Sequence, residues 1–295
     1  MFYYQAKIFL KRNLKLFLIK IFYLFKLDLI YLKKKDRFEI VLENSTFFKK
    51  SSDEEIINAI YKTVPKGCNK ELIRIGGTTD GAYLLPDDLD DVEACFSPGT
   101  SSCKNFEDDL AQKYNIKSFL ADASIDKSKL DLITNLQFFQ KKWIGDFDSQ
   151  DTLSMKSWID HSGYGNSKNL LLQMDIEGCE YQSLLSMPEK YLKKFKIIVI
   201  EFHDLERLEK TRFLNQIFDP VINKILNYFD CVHIHGNNNC GIINLANINI
   251  PKVIELTFYR KSCNKGERKK LLPHPLDIKN VDDLPPIVLD KIWTN

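Results

Sequence analysis

Side chains able to move a proton or hold a cation collect at a few points of this 295-residue chain. Asp175-Ile176-Glu177-Gly178 follows the apolar run Leu170-Leu171-Leu172-Gln173-Met174. Glu201-Phe202-His203-Asp204 closes a second such run, and His233 and His235 lead into Gly236-Asn237-Asn238. Two carboxylates one residue apart at a strand end can bind a divalent cation or orient a substrate hydroxyl; a carboxylate there can also simply cap the next helix. An imidazole beside them suits proton transfer near neutral pH. Asp175, Glu177, His203 and His235 are therefore the candidate catalytic residues. Asp175, Glu201 and His203 form a candidate set for a hard cation such as Mg²⁺. Alternation along a strand places His233 and His235 on one face, and His235 lies nearer the carboxyl end, where α/β sheets bind ligands.

A second kind of chemistry is suggested upstream. Ser97-Pro98-Gly99-Thr100-Ser101 is a small-residue turn between an apolar run and a helical stretch, where backbone N–H groups and a helix start can face a ligand. Asp122 follows Gly99 by 23 residues at the end of the next apolar run, the position from which a carboxylate accepts ribose hydroxyls in dinucleotide folds. Ser97, Pro98, Gly99, Thr100 and Asp122 thus read as a nucleoside-ligand site. The second and third glycines of a G-x-G-x-x-G turn are missing, which argues against NAD.

These residues need a scaffold that brings strand ends together. Beyond Gly67 short apolar runs alternate with helical stretches, the rhythm of parallel strands joined by crossover helices. Seven strands are expected, at Val92–Ser97, Ser118–Ala121, Lys142–Gly145, Leu170–Met174, Ile197–Phe202, Val232–His235 and Ile254–Tyr259. Helices are expected at Phe106–Tyr114, Leu153–His161, Cys179–Leu185 and Arg212–Phe229, with weaker periodicity over Ser124–Leu136. The fold class is α/β, a doubly wound Rossmann-like sheet with helices on both faces.

Forty-two Lys and Arg against 40 Asp and Glu leave a formal charge of +2, which excludes the broad cationic field of a dedicated nucleic-acid binder. Nine of the basic residues lie in positions 1–35 beside a single acid, Asp28. Lys7, Lys11 and Lys15 recur every four residues opposite Phe9, Leu16, Leu27 and Tyr31, so residues 1–45 read as a basic amphipathic helix. Its reading as a membrane-surface anchor through residues 1–35 stands beside docking on protein. Lys20, Lys26 and Asp28 interrupt the apolar stretch and exclude a spanning helix or a signal peptide. Residues 46–67 follow as a helical linker that Ser52 and Glu55 open as a capping box. Seven cysteines without a C-x-x-C pair fit a reducing compartment, so the expected location is cytoplasmic, peripheral on the inner face of the membrane if the anchor binds lipid.

Leu171-Leu172-Gln173-Met174-Asp175-Ile176-Glu177-Gly178-Cys179-Glu180-Tyr181, with Ile198-Val199-Ile200-Glu201-Phe202-His203, resembles the FkbM-type S-adenosylmethionine-dependent methyltransferases. Arg74-Ile75-Gly76-Gly77, Asp80-Gly81-Ala82-Tyr83 and Phe96-Ser97-Pro98-Gly99-Thr100-Ser101 resemble segments of one branch of that family. The resemblance covers residues 68–295, and it implies a seven-stranded methyltransferase sheet with S-adenosylmethionine over the first two strand ends. The Ser97–Thr100 turn would take the methionine moiety, Asp122 the ribose, and Asp146 or Asp148 the adenine amino group. Ser97 and Pro98 depart from the commoner family form, which carries an acid and a glycine there. Arg74, Asp80, Gly81, Tyr83, Glu201, Asn237 and Asn238 become candidate contacts to an acceptor. That acceptor is expected to be a hydroxyl on a sugar, glycan or related small molecule, in bacterial surface-polysaccharide assembly. A nucleotide-sugar glycosyltransferase and a non-catalytic membrane adaptor are the rival functions. Oligomeric state has no signature in the sequence.

Overall fold

A computed structural model of the protein describes residues 27–29, 47–78 and 80–294. Strand β1 (Leu27–Leu29) pairs antiparallel with β2 (Phe47–Lys49). The helix expected over residues 1–45 therefore does not run through Leu27–Leu29. The rest of it, and with it the membrane anchor, lies outside the described residues. Among the described residues no helix is long and apolar enough to cross a membrane.

Helix α1 (Asp53–Tyr61) opens as the sequence suggests: Ser52 Oγ accepts from Glu55 N and the Glu55 carboxylate accepts from Ser52 N, satisfying two orphan donors of the first turn. A hairpin of β3 (Leu72–Ile75) and β4 (Tyr83–Pro86) comes next. The chain then runs through β5 (Ala94–Pro98), α2 (Asn105–Tyr114), β6 (Ser118–Ala121), β7 (Gln137–Gln140), β8 (Trp143–Gly145), β9 (Thr152–Ser154) and α3 (Met155–His161). After β10 (Leu170–Met174) come α4 (Glu180–Ser186), α5 (Glu189–Leu192) and β11 (Phe195–Phe202). Next, α6 (Thr211–Phe213) passes through a π turn (Leu214–Phe218) into α7 (Asp219–Leu226). Strand β12 (Phe229–Gly236), the ribbon β13 (Ile242–Leu245) and β14 (Ile248–Pro251), β15 (Ile254–Arg260) and α8 (Lys291–Thr294) complete the chain.

Seven strands form one sheet in the order β12-β15-β11-β10-β5-β6-β7. The strand order reverses between β5 and β10, so the crevice at their carboxyl ends is where a doubly wound sheet accepts its ligand. Two expectations need correction. The sheet is mixed: β15 runs antiparallel to both β11 and β12, because the β13–β14 ribbon rather than a crossover helix links β12 to β15. The third strand on the β5 side is Gln137–Gln140, whereas Trp143–Gly145 pairs with β9 in a separate ribbon. Phe138 decides this, stacking on Phe119 (5.2 Å), which stacks on Phe96 (5.1 Å) in an aromatic row across three registered strands. Ser124–Leu136 contributes only a 3₁₀ turn at Lys127–Lys129.

The pleat sorts the core into two layers. On one face Leu170, Leu172, Met174, Ile198, Ile200 and Phe202 pack with α1, α3, α4 and α7. On the other Cys95, Leu171, Ile197 and Val199 meet Phe106 and Leu110 of α2 and Tyr83 and Leu85 of the hairpin. This second face turns polar toward the carboxyl edge, where Ser97, Gln173, Glu201 and Glu255 succeed the apolar residues and remain buried.

Trp293 is fully buried and donates through Nε1 to Thr63 Oγ1 (2.9 Å), which itself donates to Ile60 O, so the C-terminal turn is docked on α1. Trp293→Ala should cost about 3–5 kcal/mol in urea unfolding, the usual loss for a buried aromatic. Val288→Ala, at a side chain that is 84% exposed, should change stability by under about 0.5 kcal/mol.

Candidate active site

The crevice begins with a backbone contact. Gly99 has φ +87, and a Cβ there would lie 1.4 Å from the Asp175 carbonyl oxygen, so only glycine lets the β5 turn pass over the end of β10. Gly99 N donates to Ala121 O (2.9 Å), and Asp175 N donates to Pro98 O (3.2 Å). A cavity of about 250 Å³ opens above this crossing, lined by Asp80, Gly81, Tyr83, Gly99, Thr100 and Asp175 among the candidate residues. Ser101, Cys103, Phe106, Glu107 and Gln173 complete the lining and were not singled out as site residues in the sequence.

A buried hydrogen-bonded chain runs beneath that cavity. Ser97 Oγ bridges the carboxyl of Glu107 and the amide of Gln173. Gln173 Nε2 donates to the Tyr83 hydroxyl (3.4 Å), the hydroxyl donates to Glu201 Oε2 (3.4 Å), and Asn237 Nδ2 donates to Glu201 Oε1 (2.7 Å). One serine proton cannot serve two acceptors, so with the side-chain amide as oriented Glu107 must supply the second proton. Burial of Glu107, pushing its carboxyl up to about 7, is consistent with that. Ser97 is thereby an internal link, not a free ligand group.

His203 is held from behind. Its Nδ1 is 3.0 Å from Glu180 Oε1, which also accepts from Ile176 N and Gly178 N at 3.1 Å each. Glu180 is fully buried, and its tie to Nδ1 leaves Nε2 facing Asp175 Oδ1 (3.8 Å) and Glu177 Oε2 (3.5 Å). Burial alone would lower the imidazole, but the Glu180 hydrogen bond and the charges of Glu180, Glu201 and Asp175 outweigh it and raise it to about 9. Burial raises Asp175 and Glu201 to about 8 each, with mutual repulsion adding to it for Asp175. Buried acids whose charges act on one another in this way titrate as a set rather than one by one.

Among the described residues, Asp175, Glu177 and His203 bring ligand atoms within 4.8 Å of one another, a group that could hold a cation. Of the set read from sequence, Asp175 and His203 stand in this group together with Glu177, while Glu201 accepts from Asn237 and the Tyr83 hydroxyl.

The remaining candidates are distributed more widely. Asp122 accepts from Ser101 N (3.0 Å) and from Ser124 N and Oγ (2.7 and 2.6 Å), tying the β5 turn to the end of β6. Thr100 Oγ1 donates to Ser97 O (2.9 Å). Asp148 accepts from Ser154 N (2.7 Å) and Ser157 Oγ (2.5 Å) at the start of α3, while Asp146 is exposed; neither lines the cavity. Arg74 Nε donates to Gly77 O (2.8 Å), and its charge acts on Glu255 and Asp277. Asn238 donates to Val281 O, Leu284 O and Pro285 O and accepts from Val281 N, so it pins the C-terminal segment. His235 lies beside Asp277 (3.8 Å) and lines a different cavity. Glu180 was visible in sequence as the residue two after Gly178, but nothing local says that its carboxylate turns back toward His203.

No family model and no curated protein matches the chain. A solved structure, the crystal structure of a fibrillarin/Nop5p complex, is similar over 57% of this chain and 72% of that one, at 13% identity and a TM-score of 0.34.

The Glu180–His203 pair makes a titration prediction. In an NMR pH series the His203 ring should titrate above neutrality, at about 9. Glu180→Gln keeps the hydrogen-bond geometry and removes the charge that favours imidazolium, so the midpoint should move to lower pH. An unmoved midpoint would mean that Glu180 does not govern the imidazole.

Proposed function

We propose that this chain is an S-adenosylmethionine-dependent O-methyltransferase acting on a hydroxyl of a sugar, glycan or related small molecule. The observation that carries the reading is the crossing of Gly99 over Asp175 at the β5/β10 switch point, with a cavity above it and the Glu180–His203 pair at its side. The seven-strand order agrees with the fold that the family resemblance implies.

The donor set fits such a molecule. The glycine crossing seats the β5 turn directly on the end of β10 beneath the cavity, and Thr100, Ser101 and the Asp122-braced turn would hold the methionine and ribose portions. When bound, S-adenosylmethionine supplies an electrophilic methyl group. The chain's own part is to align an acceptor hydroxyl and take its proton. His203 Nε2 is the base in its neutral form, which gains population as the pH rises toward about 9; Glu180 fixes the ring through Nδ1 and stabilises the imidazolium formed when the proton arrives. Asp175 and Glu177, on the Nε2 side, orient the hydroxyl; a divalent cation on Asp175, Glu177 and His203 would instead occupy Nε2 and leave Asp175 to direct the hydroxyl.

Calorimetry with S-adenosylhomocysteine tests the reading. Wild-type protein should bind it and gain thermal stability by mass action. Gly99→Val should lose binding, whereas His203→Ala should retain it. Labelled methyl transfer to fractionated cell glycans should then fall by about 10²–10⁴-fold in His203→Ala. Absence of S-adenosylhomocysteine binding, with binding of a nucleotide diphospho-sugar instead, would replace the reading with a glycosyltransferase.

A further inference from the structure

A second and larger cavity, about 600 Å³, lies at the other end of the sheet between the carboxyl end of β12 and residues 272–294. Leu272, Ile278, Ile287, Val288 and Leu289 give it an aliphatic wall, and His235 and Asp277 supply polar groups on the strand side. Burial lowers His235 below the ordinary imidazole range, so its ring is neutral at physiological pH and offers a hydrogen bond without a charge. The Asn280 side chain approaches His235 closely enough to act on its ring as a hydrogen-bond partner, although neither His235 Nε2 nor Asn280 Oδ1 makes a bond of full geometry.

The enclosing segment is fixed in place. Asp277 sits 2.9 Å from His233 Nε2 and accepts from His274 N (2.8 Å), while Asn238 holds Val281, Leu284 and Pro285. Such a cavity is preformed, which lowers the ordering cost of filling it.

Its relation to the first cavity is set by Asn280. Asn280 Nδ2 donates both to Asp80 Oδ1 (2.8 Å), which lines the first cavity, and to Glu255 Oε1 (2.7 Å), the registered neighbour of His235. Asn280 therefore ties Asp80, in the lining of the first cavity, to the strand row that carries His235 of the second. Strand β12 lies two strand spacings, roughly 10 Å, from β11 and its His203. That is a span for the body of an acceptor, not for its reacting hydroxyl alone.

We infer that the acceptor is an amphiphile whose aliphatic or alicyclic body occupies the cavity under residues 272–294, hydrogen-bonded at His235, with its hydroxyl head directed along the strand ends toward Asp175 and His203. A bare, fully polar sugar would leave the aliphatic wall without a partner. This deepens the methyltransferase reading and rests on it for the word acceptor; the cavity's preference for an apolar body can be measured separately.

The probes are n-octyl β-D-glucopyranoside below its micelle concentration and methyl β-D-glucopyranoside, titrated calorimetrically into the full-length protein with and without S-adenosylhomocysteine. The octyl compound should bind at least roughly tenfold more tightly, since its extra methylenes are buried. Val288→Trp adds bulk from the exposed rim without touching the core; it should weaken octyl glucoside by roughly tenfold or more and leave S-adenosylhomocysteine binding unchanged. His235→Phe should weaken the octyl compound while the protein remains folded by circular dichroism. Equal affinity for the two glucosides, no binding of either, or octyl binding indifferent to Val288→Trp overturns the inference. Octyl binding of the expected kind in a protein that ignores S-adenosylhomocysteine keeps the amphiphile site and removes the methyltransferase.

Discussion

Burying several acids side by side on one row of a sheet is the constraint around which the molecule is built. In register, Glu201 of β11 faces Glu255 of β15, which faces His235 of β12, and Asp175 stands just past the end of β10. Burial pushes Glu201 and Glu255 to about 8 each, so the row holds protons that exposed carboxylates would have lost. An unpaired buried charge would cost several kcal/mol, so elements from distant parts of the chain must converge to satisfy it. They do so in kind: the β3–β4 hairpin sends Tyr83 and Arg74, the turn after β12 sends Asn237, and the C-terminal segment sends Asn280. The hairpin and the C-terminal segment are outside the main sheet, and their packing over its carboxyl edge follows from this polar demand as much as from apolar contact.

The same row explains the electrostatics of the site. His203 gains its proton affinity from Glu180 first, and from Glu201 and Asp175 next. Because these groups titrate together, a proton gained or lost here belongs to the coupled set rather than to one isolated ring. Glu180 differs from the others in accepting two main-chain N–H bonds as well as contacting the histidine, which holds its carboxyl in one place against the ring.

Legibility in the sequence divided along the line between periodic and convergent information. The long apolar runs at Leu170–Met174 and Ile197–Phe202 announced themselves because both faces are buried, and the residues that follow them, Asp175 and His203, were thereby placed at the sheet edge. Gln137–Gln140 escaped because it is an edge strand with glutamines at both ends and a half-exposed Phe138, whereas the neighbouring Trp143-Ile144 looked more apolar and is a ribbon. The antiparallel course of β15 depended on a ribbon whose residues alternate exposed and partly buried, too weak a pattern to rule out a crossover. Side-chain pairings such as Glu180 with His203, or Asn280 with Asp80 and Glu255, are set by how loops fold back, and no spacing in the chain encodes that.

The polar chain and the glycine crossing also set limits on each other. Ser97 must be small to sit between Glu107 and Gln173, and two residues later Gly99 must lack a side chain to clear the Asp175 carbonyl. Lengthening either side chain would lift the β5 turn away from β10, taking Thr100 and Ser101 with it and separating Asp122 from Ser101 N. The turn residues therefore answer to packing and hydrogen bonding from below before they answer to any ligand above. Glu107, reaching up from α2, brings a carboxyl to the base of the cavity, and Ser97, accepting from it, donates its own hydroxyl proton in a hydrogen bond to the Gln173 amide oxygen.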